Sequence, residues 1–233
     1  MPDRKRPRLQ DATDQAVHKA AESDVEELVR LLNRDPDLRD EPGWYWRQPI
    51  HTAGQSGNAD TLTLLLERGA DPNAEEGLHQ ETPLFLATEA DALDCIQKLL
   101  TTGADPNKRS RRGETPLFVA HSLAAIELLA NGGADMNVVD ENGDTPFQNC
   151  GSYVGSIDVL RFWIERGVLI DAQPVVGWPA LHGIVAGGIP ERKVSESDRI
   201  EILRLLLDSG ASVNGTDKTG VTVLYYACQS HFT

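Results

Sequence analysis

The sequence has few cysteines, few aromatic residues and no long hydrophobic runs. Of its 233 residues, 3 are cysteine and 6% are aromatic. Its longest apolar stretches fall far short of the ~18 residues that a membrane span needs. No apolar run near Met1 resembles a secretory signal. These absences predict an intracellular, cytoplasmic chain with no membrane partner.

Scarce cysteine also argues against a scaffold held together by disulfides. Cys95, Cys150 and Cys228 all occupy small or apolar slots of the repeat described below. We expect them to be buried, reduced thiols with a structural role. A disulfide or a metal site is the alternative.

Positive charge is scarce too, since 22 Lys and Arg face 36 Asp and Glu and leave a net charge of −14. Affinity for phosphate backbones comes from Lys and Arg, so this balance argues against a nucleic-acid partner. The first residues are the exception, and we expect residues 1–13 to form a basic, disordered tail. Lys5, Arg6 and Arg8 are a candidate nuclear-import signal that would add a nuclear location. A charged tail without that role is the alternative.

Motifs for catalysis and cofactor binding are missing from the sequence. It has no nucleophile elbow, no Walker loop, no Gly-x-Gly-x-x-Gly after a strand and no His-Glu-x-x-His. The scattered His79, His121 and His231 show none of the spacings typical of zinc ligands. We therefore expect no enzymatic activity, no metal site and no cofactor.

A short motif recurs along the chain at nearly regular intervals. Its clearest copies read Thr82-Pro83-Leu84 and Thr115-Pro116-Leu117. The second residue of each copy falls at position 49, 83, 116, 146, 180 or 223, so most intervals are close to 33 residues. Proline is favourable in the first turn of a helix, where its missing N–H would have had no partner. Each copy therefore predicts the start of a helix.

A second motif, Leu-Leu followed by Gly-Ala-Asp-x-Asn, alternates with the first. It is clearest at Leu65-Leu66 with Gly69 to Asn73, and at Leu99-Leu100 with Gly103 to Asn107. The glycine can take the left-handed conformation that ends a helix. Each unit is thus two helices and a polar hairpin. A unit of this size cannot bury its own apolar face, so neighbouring units must stack.

The two motifs at this period resemble the ankyrin-repeat family over nearly the whole chain. The resemblance implies an all-α solenoid of helix-turn-helix repeats joined by hairpin loops, here over residues 14–233. With a degenerate first repeat, the count is six full repeats and a partial seventh. The resemblance also implies that His18, His51 and His182, which share one repeat phase, hydrogen-bond the hairpin backbone.

Two repeats depart from the common length. The fourth loses three residues between its helices, which predicts a cramped turn around His121-Ser122-Leu123. The sixth gains ten residues within Gly187 to Asp198, which predicts a mobile polar loop that is dispensable for folding. Trp163 falls in the apolar run of a second helix, so we expect it in the core.

Hairpin tips are where ankyrin-repeat proteins vary for recognition, and two tips of this chain are unusual. One carries three aromatic residues, Trp44-Tyr45-Trp46, and another carries four basic residues between 108 and 112. Trp, Tyr and Arg are enriched at binding hot spots. The candidate protein-binding residues are Trp44, Tyr45, Arg47, Arg111, Arg112 and Trp178.

Each of these candidates has an alternative role within the chain. Trp44 and Trp46 could fold back over the incomplete first repeat. The arginines between 109 and 112 could pair with acidic residues of adjacent tips, namely Glu75, Glu76, Glu141 and Asp144.

The resemblance implies a protein-protein interaction scaffold or adaptor that holds a partner protein on its hairpin tips and concave face. The alternative is a recognition segment of a longer multidomain protein, with any enzymatic activity in a domain outside this sequence. The last repeat ends in Leu224, Tyr225, Tyr226 and Phe232 without a second helix. Since terminal repeats normally carry a polar outer face, we expect either further chain, self-association or another protein to cover this end.

Overall fold

The computed structural model describes residues 12–151, 157–171, 196–217 and 219–225. Their regular structure is helical, and the only bridge outside the helices in these ranges pairs Thr216 with Thr222. The helices are α1 (Ala12–Ser23), α2 (Val25–Arg34), α3 (Pro49–Ser56), α4 (Ala59–Glu67), α5 (Pro83–Glu89), α6 (Leu93–Thr101), α7 (Leu123–Asn131), α8 (Pro146–Gly151), α9 (Ile157–Glu165) and α10 (Glu196–Asp208). Three short 3₁₀ helices span Pro36–Asp40, Trp44–Trp46 and Pro116–Val119.

The helices begin and end where the two motifs predict. Thr82 caps α5, because its hydroxyl oxygen accepts the backbone N–H of Phe85 at 3.3 Å, and Pro83 follows in the first turn. The glycines after α4 and α6 are left-handed, with φ 84° at Gly69 and 93° at Gly103. The all-α ankyrin architecture expected from the sequence is therefore the observed one.

Two compact units make up the chain, divided within the fourth repeat. The first unit runs to Pro116 and includes Ala124–Ala134, while the second has Leu117–Leu123 and the chain from Asp135 onward.

In the first unit the helices form two layers. The first helices of consecutive repeats pack together, α1 on α3 and α3 on α5, and the second helices α2, α4 and α6 pack in the same order. Burying one Leu or Ile side chain contributes roughly 1.5–3 kcal/mol. The fully buried Leu and Ile side chains therefore hold this unit together: Leu28, Leu32, Ile50, Leu62, Leu65, Leu84, Leu86, Ile96, Leu99, Ile126 and Leu129.

The second unit has its own core around Trp163. This side chain is 0% exposed, and its ring lies 6.0 Å from that of Phe147 in a tilted arrangement. The core position expected for Trp163 is thus confirmed. Helix α9 packs on α10, and Arg161 of α9 pairs with Glu201 of α10 at 2.9 Å.

The short fourth repeat loses most of its first helix. A 3₁₀ turn at Pro116–Val119 stands where other repeats have an α-helix, and α7 begins at Leu123. The missing residues are therefore accommodated by shortening the helix as well as the turn after it.

Some expectations fall outside the described residues. These are the basic tail up to residue 11, His182, Trp178, most of the predicted loop of the sixth repeat and the end of the chain after Tyr225. Helix α1 begins at Ala12, two residues before the boundary expected at Asp14.

Candidate functional site

Each hairpin tip of the first unit is closed by a backbone hydrogen bond. The N–H groups of Gly43, Glu76 and Ser110 donate to the carbonyl oxygens of Arg47, Glu81 and Glu114 at 2.7, 2.9 and 2.7 Å. These bonds define tip one (residues 43–47), tip two (residues 76–81) and tip three (residues 110–114). Tip two is one residue longer than the other two.

Two histidines, the partly buried His18 and the buried His51, hold the first two tips on the helices. The Nδ1 of His51 accepts the backbone N–H of Gln48 at 3.1 Å, so its Nε2 carries the proton and donates to the carbonyl of Ala74 at 3.0 Å. Burial lowers the pKa of His51 to about 4, which keeps the ring neutral. His18 contacts the hydroxyl of Thr52 and the carbonyl of Glu41, both at 3.1 Å. The structural role that the resemblance implies is confirmed for both residues.

Tip two contains a buried carboxylate, Glu76, which the sequence offered as a possible partner for the arginines of tip three. Glu76 is 1% exposed, and its oxygens accept the backbone N–H groups of Leu78, at 3.0 Å, and of His79. Hydrogen bonds of this kind offset the free energy lost when a charged group leaves water. Glu76 is therefore not a pairing partner for the arginines of tip three.

Tip one has a backbone conformation that aromatic residues rarely adopt. Tyr45 and Trp46 both have φ of 58°, and Trp46 stands where tip three has Gly113 with φ of 78°. The N–H of Gly77 in tip two donates to the carbonyl of Tyr45 at 2.9 Å. A Cβ on Gly77 would lie 2.8 Å from the Cβ of Trp46, so the indole packs directly on this glycine.

The candidate residues of tip one differ in their surroundings. Tyr45 is 52% exposed. Arg47 is half-buried, donates to Oε1 of Gln55 at 2.7 Å and pairs with Glu81 at 3.7 Å. The backbone of Trp44 lies in the same tip, whereas its side chain is outside the described part of the structure.

Tip three presents two exposed arginines. The backbone N–H of Arg111 donates to the carbonyl of His79 at 2.6 Å, which joins tip three to tip two. The Nζ of Lys108 pairs with Glu75 at 2.9 Å. In the ranges that the structure describes, neither Arg111 nor Arg112 forms an ion pair. Glu75, one of the acidic residues considered as partners for the arginines between 109 and 112, thus pairs with Lys108 instead.

The structure places Tyr45 and Arg47 on tip one and Arg111 and Arg112 on tip three, with tip two between them. Tips one and two are joined by the Gly77 to Tyr45 bond, and tips two and three by the Arg111 to His79 bond. We call this surface the tip row. Trp178, Lys5, Arg6 and Arg8 lie outside the described residues.

Sequence reasoning missed a set of asparagines that link successive repeats. Asn73 donates to the carbonyl of Gly103 at 2.9 Å and accepts the N–H of Asp105 at 2.7 Å. Asn107 donates in the same way to Gly133 at 2.9 Å. The recurrence of asparagine at one phase of the repeat was the available signal.

The described residues hold no cluster of three or more His, Cys, Asp or Glu that could bind a metal ion. Burial raises the pKa of the Cys95 thiol to about 11, so this cysteine stays protonated. A hollow of about 310 Å³ lies between α4 and α6 and is lined mainly by Leu66, Lys98 and Thr102. Among the helices described, none is long and apolar enough to cross a membrane.

Known proteins with similar sequence and structure agree with this architecture. No curated protein sequence matches the chain. Its fold is similar to the crystal structure of the ankyrin repeat domain of Bcl-3, described as a unique member of the IkappaB protein family. That likeness has a TM-score of 0.71 at 26% sequence identity and covers 97% of this chain and 95% of that chain.

The families that match are both families of ankyrin repeats. Residues 50–140 and 84–174 match the family described as Ankyrin repeats (3 copies). Residues 192–233 match the family described as Ankyrin repeats (many copies). The matches cover most of the chain, and the helices, hairpins and repeat-to-repeat contacts described above agree with them. The chain belongs to the ankyrin-repeat family.

Proposed function

We propose that this chain is a protein-protein interaction scaffold that holds a partner protein on the tip row and the adjoining concave face. Ankyrin repeats are generally protein-interaction modules. The observation that carries the proposal is the tip row itself. It has an exposed tyrosine on tip one and, on tip three, two exposed arginines without ion pairs in the described structure.

The chemistry of these side chains suits recognition. Tyrosine offers a large contact area and a hydroxyl at small conformational entropy cost, and arginine offers five donors in a planar fork. Hydrogen bonds between and within the tips hold the backbone of these residues in place. Binding a partner therefore costs little further backbone entropy. Arg47 remains a candidate, although its guanidinium already bonds Gln55 and Glu81.

The test is quantitative binding of a captured partner to the intact chain and its variants. Truncating a hot-spot residue costs about 2 kcal/mol or more, which is roughly a 30-fold loss of affinity. We expect such losses for Tyr45→Ala, Arg112→Ala, Trp44→Ala and Trp178→Ala. The control is Arg34→Ala, an exposed arginine on α2. If all four variants remain folded and bind as tightly as the unchanged chain, the partner uses another surface.

Two related proposals concern the context of the array. The chain could serve as the recognition segment of a longer protein, and the mass of the natural gene product tests this. Lys5, Arg6 and Arg8 are proposed to direct nuclear import in addition to a cytoplasmic location. Replacing the three with alanine should then move a fluorescent fusion out of the nucleus. We propose no reaction and no cofactor for this chain.

A further inference from the structure

The carboxylates in tip two and directly before it, Glu75, Glu76 and Glu81, form contacts within the chain. Glu76 is buried against backbone N–H groups of its own tip. Glu81 faces Arg47 at 3.7 Å, and Glu75 faces Lys108 at 2.9 Å. These three groups therefore add little negative charge to the outer surface of the tip row.

The two arginines of tip three are left with exposed charge. Arg111 and Arg112 are both exposed, and among the described residues their side chains have one bond, a long 3.4 Å contact from Nη1 of Arg111 to the carbonyl of Leu78. Tip three thus presents two exposed positive charges, although the chain as a whole has a net charge of −14.

The backbone beneath these side chains is fixed. The N–H of Arg111 bonds the carbonyl of His79 at 2.6 Å, and the N–H of Arg112 bonds the hydroxyl of Ser110 at 3.3 Å. Both guanidinium groups therefore project from an ordered turn, which reduces the entropy lost when they bind an anionic group.

We infer that the tip row recognises an acidic, extended peptide segment of the partner, with Arg111 and Arg112 pairing to its Asp or Glu carboxylates; this rests on the proposed function. Arginine pairs with carboxylates through two parallel hydrogen bonds, which supplies orientation as well as affinity. A negatively charged segment is repelled by the chain's overall charge and attracted at the arginines of the tip row. Charge complementarity thus fixes where and how the segment binds.

The experiment uses a fluorescently labelled synthetic peptide rich in Glu, and a matched peptide with Gln at every Glu. Binding to the full chain is measured by fluorescence anisotropy at low and physiological salt. We expect the Glu peptide to bind at least ~10-fold more tightly than the Gln peptide, and added NaCl to weaken it because screening acts on exposed charges.

A matched pair of variants locates the site. Arg111→Gln with Arg112→Gln should reduce affinity for the Glu peptide by ~10-fold or more. Arg30→Gln with Arg34→Gln removes the same charge from α2 and should leave affinity within ~2-fold. Equal losses in the two double variants, or equal binding of the two peptides, would overturn the inference.

Two further arms exclude other ligands. If a single-stranded oligonucleotide binds as tightly as the Glu peptide with the same dependence on Arg111 and Arg112, the site is a general anion site and the inference is wrong. The inference is also wrong if light scattering shows that the tip-three variant converts a dimer into a monomer, because the occupant is then a second copy. Loss of the natural partner on Tyr45→Ala without any binding of the Glu peptide keeps the proposed function and rejects this inference alone.

Discussion

At the scale of single residues, one position in each tip decides how the turn is held. Asp140 accepts the N–H groups of Asn142 and Asp144 at 2.8 Å, and in another tip Asp217 accepts two backbone N–H groups in the same way. Ser110 fills this position in tip three, and its hydroxyl accepts a single N–H at 3.3 Å. The turn of tip three is thus held by fewer and longer side-chain hydrogen bonds than the turns that begin at Asp140 and Asp217.

Substituting Ser110→Asp should therefore stabilise the chain by about 1 kcal/mol, because a carboxylate replaces one long bond with two charge-assisted bonds. Urea unfolding measures the change in the free energy of unfolding. Asp140→Ser is the reciprocal control and should lose a similar amount. A Ser110→Asp variant that is no more stable than the unchanged chain would show that the turn cannot bring the second N–H within reach.

His51 predicts a dependence of stability on pH. Its pKa is about 4 in the folded chain against an ordinary value of 6.5, because burial disfavours the charged ring. Because its pKa is lower in the folded state, neutral His51 makes its full contribution to the free energy of unfolding above pH 6.5. That contribution declines as the pH falls toward 4. The difference corresponds to about 3 kcal/mol.

The control for this prediction is present in the chain. Gln148 stands at the same repeat phase as His51, and its Oε1 accepts the N–H of Thr145 at 2.9 Å without titrating. His51→Gln should lower stability at pH 7 through loss of the bond to Ala74, and should flatten the decline between pH 6.5 and 4. An unchanged slope in chemical denaturation across this range would exclude His51 as its source.

At the scale of helices, capping differs between repeats with the same backbone. Asn58 caps α4, and its side chain accepts the N–H of Thr61 at 3.0 Å. Ala92 precedes α6 with a similar φ of −83° but has no side-chain acceptor. The first N–H groups of α6 therefore lack a bond that α4 has.

Ala92→Asn should stabilise the chain by about 1 kcal/mol, and Asn58→Ala should destabilise it by a similar amount. Thermal unfolding followed by circular dichroism reports both. Opposite shifts of the melting temperature are the expected result. Destabilisation by Ala92→Asn would mean that the turn before α6 has no room for the side chain.

The sequence predicts these helices well because their signals are local. Thr82 and Pro83 predict the start of α5, and Gly69 predicts the end of α4. Each of these residues lies at or next to the helix end that it predicts. The conformation of Trp46 could not be predicted, because glycine is the residue that normally takes a left-handed turn. The burial of Glu76 was missed because nothing in the sequence distinguishes it from the neighbouring Glu75, which is exposed.

The candidate site was predicted in part. Residue type at the hairpin tips singled out Tyr45, Arg111 and Arg112. Which charges remain unpaired depends on contacts such as Lys108 with Glu75, which join residues 33 positions apart. No local pattern reports such a choice of partner, so the sequence left the pairing of these arginines open.

At the scale of the whole molecule, the last repeat exposes apolar surface. Leu224 is 65% exposed, and Val213 is 50% exposed. Large exposed apolar groups that lie together are typical of surfaces that contact another chain. We expect this apolar surface to be covered by another protein or by a second copy of the chain.

Light scattering across a range of concentrations tests the second of these. We expect a mass above the 25.5 kDa of one chain that rises with concentration, and a lower mass for Leu224→Asp. The control is Val139→Asp, an exposed apolar residue on a different tip. A mass that stays at one chain at every concentration would contradict self-association.

The contact between Trp46 and Gly77 sets a limit on modularity. Ankyrin repeats are often treated as interchangeable blocks, yet tip one accepts after it only a tip whose second residue is glycine. In tip three that position is Arg111. A Cβ on Gly77 would lie 2.8 Å from the Cβ of Trp46, so we expect the Cβ of Arg111 to clash in the same way if tip three followed tip one directly. Deleting the repeat that carries tip two would bring these two tips together and block their stacking. Side-chain size therefore restricts the order in which these repeats can stack. A rearranged array would need a smaller residue at position 46 or at the second position of the tip that follows.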